Sequence, residues 1–211
     1  MMRYFKWGFF AVLALLVFAF FHYTLPQHDI VRIVGTENRR IDYGQHSIFW
    51  ATPDKAAQAV GSRDVFFIQT QRPNGKPMVY RNEDTGWGWP PYFKLDSSNL
   101  QAVAQDLVST KANPVWVSIT HYGWRNEWIS IYPNAVSINV VSGPDATIIP
   151  WANIVILTFL LIVLLFLRAM WRQFRRRSID PVIEDMEEAW DGVEDRAEGL
   201  WGRVKRRLGG K

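Results

Sequence analysis

The chain has no cysteine among its 211 residues. Disulfides, thiolate nucleophiles and cysteine-ligated zinc or iron–sulfur centres are therefore excluded. Histidine is scarce. His22, His28, His46 and His121 form no HxH, HxxH or HExxH pair, so no metal is expected and each reads as a surface or interface histidine. No GxGxxG, GxxxxGKS or GxxxxGKT occurs, which removes the phosphate-cradling loops. Ser47, Ser118 and Ser130 lack a GxSxG setting. No catalytic residue, cofactor or metal is expected on these grounds. Charge of one sign is also missing, with 24 Lys and Arg against 20 Asp and Glu. With 48% apolar and 15% aromatic residues, the chain is not a disordered polyelectrolyte.

Two blocks lack charge altogether, residues 7–25 and 148–167. Roughly 20 apolar residues at 1.5 Å rise span a bilayer core of ~30 Å. In lipid each backbone must satisfy its own hydrogen bonds, so both blocks are expected to be transmembrane helices. The first resembles a signal peptide, but its run is long and no small-x-small pair marks a cleavage site; Ala19-Phe20-Phe21 fails. An uncleaved anchor is the better expectation. Arg3 and Lys6 precede the first block, and Arg168, Arg172, Arg175, Arg176 and Arg177 follow the second. Cations gather on the cytoplasmic side. Both termini are thus expected in the cytoplasm and the intervening segment outside it.

The +4 surplus resolves into topology. Residues 26–147 hold 11 cations and 11 anions, and the segment from Arg168 holds 11 and 9. No basic face points to nucleic acid. The expected organisation is a cytoplasmic N-terminus (1–6), helix (7–25), an extracytoplasmic domain (26–147), helix (148–167), and a basic juxtamembrane segment with an amphipathic tail (168–211).

Within the outer segment, strands are expected at 30–34, ending at Gly35, and at 65–70, with 78–81 as hairpin partner across Pro73-Asn74-Gly75-Lys76. Thr52-Pro53 opens a short helix to Val60. Ser98 and Gln101 form a capping-box pattern. Leu100, Val103, Ala104, Leu107 and Val108 then make one helical apolar stripe. A strand follows at 115–120, and a second at 128–132 and 135–141, broken by Pro133-Asn134. The fold class is a small α+β domain between two transmembrane helices. Its order, three strands, a helix and two strands, is that of an OB-like barrel. In the tail, Asp180-Pro181 opens a helix with apolar residues at 183, 186, 190, 193, 197, 200 and 204. A coiled coil, a helix lying on the bilayer and a solvated helix all remain open readings.

Asn82-Glu83-Asp84 sets two carboxylates side by side, which read as a solvated turn before Gly86; a hydrolase using Glu83 or Asp84 is the remote alternative. The aromatic residues are more distinctive. Trp87, Trp89 and Tyr92 crowd one loop; Tyr122, Trp124, Trp128 and Tyr132 crowd another, with Arg125 beside them. Trp, Tyr and Arg anchor interfaces, and aromatics also fill small cores. Trp87, Trp89, Tyr92, Trp124 and Arg125 are the candidate binding residues, with core packing as the competing reading.

Four stretches carry a resemblance: 31–37 (VRIVGTE), 79–94 (VYRNED through WPPYFK), Tyr122-Gly123-Trp124-Arg125, and Pro133-Asn134-Ala135-Val136. With this layout the chain resembles a family of bacterial membrane proteins described only as a domain of unknown function. The resemblance supplies no activity or ligand. It implies a Gram-negative inner membrane and a periplasmic outer domain. The expected role is a non-enzymatic accessory or scaffold protein. Its partners would be the lipid bilayer and another envelope protein, or a second copy through the helices or tail. A small-molecule or glycan sensor is the alternative.

Overall fold

The computed structural model describes residues 2–42, 62–85, 90, 92–183 and 186. The short helix expected at 52–60, the Trp87–Trp89 loop and most of the amphipathic tail lie outside them. The chain divides into two units, residues 1–153 and 154–211.

The first unit opens with α1, Met2–Thr24. After two intervening residues begins β1, Gln27–Asp42, followed by β2, Ser62–Gln71, and β3, Pro77–Asn82. Then come α2, Ser97–Asp106, β4, Trp116–Tyr122, and β5, Asn134–Val140. All strands pair antiparallel except β3 with β5, which meet at Arg81 and Asn134 in parallel. The pairing order is β1-β2-β3-β5-β4, and β4 pairs back onto β1.

Gly35 does not end the first strand. The register slips between Ile33 and Gly35, and the strand continues past this bulge to Asp42. A bulge lets one long strand bend between two partners. Here the strand leaves β4 at Arg32 and follows β2 from there on. A Cβ at Gly35 would lie 3.2 Å from the Gln69 Oε1, a contact that a small shift of that flexible side chain would relieve. The 72–76 hairpin forms as its residues dictate. Gly75 takes φ +79°, and Asn74 Oδ1 accepts from the Lys76 N–H at 3.0 Å.

Val31, Ile33, Ile68, Met78, Tyr80, Ala104, Val117, Ile119 and Ala135 form the core. Leu100 and Leu107 pack on it from α2, whereas Val103 and Val108 of the expected stripe are exposed. The helix also starts earlier than the capping-box pattern suggests. Asp96, in the left-handed region at φ 67°, is the N-cap and accepts from the Asn99 N–H. Gln101 is therefore free to turn inward. No strand forms at 128–132. Residues 127–130 make a tight turn closed by a single bridge between Asn126 and Ile131.

The second unit carries most of α3, Trp151–Phe174, none of whose residues is buried. The helix continues through a wider π turn, Arg175–Ile179, in which the Asp180 N–H bonds back to the Arg175 carbonyl. Asp180 does not cap a new helix as expected. It sits within the helical run and its carboxylate accepts from Arg175 Nε at 3.1 Å. The wide turn directly precedes Pro181, whose ring lacks an N–H and crowds the carbonyl one turn back. Both α1 and α3 are long and apolar enough to cross a membrane.

Candidate functional site

Beneath the end of α1 lies a buried polar network built on the ends of β3 and β5. Arg81, 1% exposed, donates from one guanidinium nitrogen to Glu83 Oε1 at 2.6 Å and from the other to the Tyr92 hydroxyl at 2.8 Å. Arg63 of β2 meets the second Glu83 oxygen at 2.6 Å. Asn134 locks the backbone of Glu83 from both sides: its amide donates to the Glu83 carbonyl at 2.9 Å and its oxygen accepts from the Glu83 N–H at 3.1 Å. Glu83 is thus no solvated turn residue, because two guanidiniums and an asparagine replace the water it loses. Such a pair is costly to desolvate, and more costly to break by removing one partner. Burial works against the Arg81 charge, but Glu83 and the hydroxyls of Tyr92 and Tyr23 more than offset it, and its pKa is raised.

A second strand of the network runs through Asn82. Its side chain donates to the Ser97 carbonyl and to Gln101 Oε1, each at 2.9 Å, and accepts from Lys94 Nζ. Asp84 receives the Ser97 N–H at 3.0 Å and its hydroxyl at 2.7 Å, tying the segment after β3 to the start of α2. Lys94 is 2% exposed, and burial pushes its ammonium down to about 7 although Asp84 and Glu83 oppose the shift.

Tyr92 links this network to an aromatic cluster. Its ring stacks on Tyr122 with centroids 4.5 Å apart and 16° between planes. Tyr23, in the last turn of α1, sits 6.2 Å from Tyr92 and edge-on to Trp124 at 5.3 Å. The Tyr23 carbonyl accepts the Gly123 N–H at 3.0 Å, and Trp124 Nε1 donates to His22 Nδ1 at 2.9 Å. Gly123 takes φ +84°, with the Tyr23 ring 3.5 Å from where a Cβ would be. The structure therefore brings Tyr92 and Trp124 together around Tyr23. Arg125 serves its own loop, donating to the carbonyls of Asn126 and Ile131 at 3.0 and 2.9 Å and lying over Tyr132 at 4.5 Å. Trp87 and Trp89 lie outside the described residues.

On another face of the same domain, Asp29 Oδ2 accepts from the Tyr80 hydroxyl at 2.6 Å and from Arg72 at 3.2 Å, with His121 Nε2 at 3.3 Å. Burial would raise the Asp29 pKa, but hydrogen bonds from His121 and Tyr80 and the Arg72 charge bring it well below the usual carboxylate range. His121 is buried at 4% exposed, not the surface histidine expected. Burial, and then His121, lower the His28 pKa.

Sequence reasoning missed Arg81, Asn134, Lys94 and His121. Arg81, Asn134 and His121 end or interrupt a β pattern, where a polar residue normally faces water, and Lys94 follows a loop of aromatics. The one available signal was clustering: Arg81, Lys94 and Asn134 all fall within the stretches that carried the family resemblance.

Among the described residues, the fold and this network define a small α+β domain of five strands carried between two apolar helices, with the last turn of the first helix packed against the 122–124 segment. The chain belongs to the family described as "Protein of unknown function (DUF1523)", which matches residues 2–175. An uncharacterised protein of Haemophilus influenzae is 39% identical over 165 residues, covering 76% of this chain and 90% of that protein. No solved structure matches the chain.

Proposed function

We propose that the protein is a non-enzymatic, membrane-anchored accessory or scaffold protein of a bacterial inner membrane. Its domain is an OB-like barrel on the periplasmic side, held there to engage another membrane or envelope component. One observation carries the reading: the last turn of α1 is part of the domain's own packing. Tyr23 is 7% exposed, and its carbonyl and ring are both used by the 122–124 segment. A domain fixed on its anchor presents its surfaces at a set height and orientation, which suits docking to a neighbour in the same membrane. The ring of pairings β1-β2-β3-β5-β4 supports the OB-like barrel. The orientation rests on Arg3 and Lys6 before the first apolar run and on Arg168, Arg172, Arg175, Arg176 and Arg177 after the second.

Ligand sensing is the second reading. Tyr23 lies within electrostatic reach of Arg81, which would couple a change at the buried network to the end of α1. Purification of the full chain from detergent-solubilised membranes, followed by mass spectrometry, separates the two. A protein recovered in fixed proportion is the expected result. A small molecule or glycan retained instead supports sensing, and recovery of the bare chain contradicts both.

A further inference from the structure

Most aromatic residues near the end of α1 are packed, but Trp128 is 97% exposed. Nothing in core packing explains it, yet the turn that carries it is tightly built. Asn126 and Ile131 exchange two backbone hydrogen bonds, at 3.1 and 2.9 Å. Asn126 Oδ1 accepts from the Trp128 and Ile129 N–H groups at 3.0 and 3.3 Å, and Arg125 clasps both arms. Ser130 takes φ 50°, which a non-glycine residue adopts only where its surroundings impose it. Ile129, beside the indole, is 36% exposed. A rigid turn presenting a solvated indole loses little conformational entropy on docking.

The root of this turn is fixed to α1. Gly123 bonds to the Tyr23 carbonyl and Trp124 to His22, both in the last turn of the apolar helix. Only three residues separate Trp124 from Trp128, so the indole lies within one short turn of the place where α1 leaves the bilayer. Tryptophan is enriched at that depth, where its ring meets both headgroup and acyl chain. We propose that the 126–131 turn is a second membrane contact: Trp128, with Ile129, inserts into the interfacial layer of the leaflet from which the domain emerges. The occupant is the lipid surface itself, and the site adds a lateral foothold that fixes how the domain tilts on α1. This rests on α1 spanning the bilayer.

The absence of cysteine makes the test direct. Full-length protein in lipid nanodiscs carries a single nitroxide on Glu127→Cys, Lys111→Cys or Leu15→Cys. Residue 127 lies beyond the C-terminal end of β4 and residue 111 before its N-terminal end, about 20 Å apart along a seven-residue strand. Both are exposed. The accessibility ratio of oxygen to a water-soluble nickel complex is expected to be several-fold higher at 127 than at 111. Adding Trp128→Ala should return it to the value at 111. A label at 127 that already matches 111, or one shielded from both reagents by a second copy or another protein, overturns the proposal. The label at 15 keeps the two claims apart: if it reads as aqueous, the membrane span fails, whereas a lipid reading at 15 with an aqueous reading at 127 defeats the foothold alone.

Discussion

Lys94 is a residue whose environment works against its charge. In the folded chain its pKa falls from 10.5 to about 7, chiefly by burial. The unfolded chain therefore binds a proton that the folded chain does not hold between those values. Stability from this group is greatest at alkaline pH, declines as pH drops from 10.5, and levels off below about 7. Tyr80, Tyr92 and Tyr122, all raised by burial, act oppositely as pH rises past their ordinary 10.0. The useful window thus lies between about 7 and 10. Melting temperature of the detergent-solubilised chain should rise across it, and Lys94→Met should flatten the rise. An unchanged slope in that variant would show that Lys94 keeps its proton at neutral pH. None of this was legible in the sequence, where Lys94 simply follows a loop of aromatics. Burial comes from partners distant in sequence, Asn82 among them.

At the scale of elements, the sequence was most readable where one local cause dominates. The hairpin at 72–76 needs only Asn-Gly and two flanking strands, and it forms. Helix α2 was found by its period, but its cap was misplaced by two residues because Asp96 adopts a left-handed conformation that no pattern announces. The strand expected at 128–132 failed because aromatic and β-branched composition cannot distinguish a strand from a turn held by Asn126 and Arg125. The junction of α1 with the domain was invisible, since Tyr23 looks like one more interfacial aromatic. Removing a buried aromatic ring costs about 3–5 kcal/mol. Tyr23→Ala should therefore lower the melting temperature of the solubilised chain sharply, while Tyr23→Phe, which keeps the ring, should lose much less. Equal, small effects of both would mean that α1 and the domain are joined only through the backbone.

At the scale of the molecule, the described residues form an α+β domain between two helices that are each long and apolar enough to cross a membrane. That layout was the most legible feature, because twenty residues without charge admit few physical explanations. The candidate site was the least legible: Tyr92 and Trp124 do meet around Tyr23, yet Glu83, which Arg81 and Arg63 hold at the strand ends, was read as part of a solvated turn. Orientation is the central proposal, since a domain outside the cytoplasm and both termini within it depend on it, whereas the foothold of Trp128 needs only that α1 spans the bilayer. Alkaline phosphatase, active only beyond the cytoplasmic membrane, tests it when fused after Lys211 and, separately, inserted at Asn74. The account predicts an inactive fusion at Lys211 and an active one at Asn74; activity at Lys211 with none at Asn74 would contradict it.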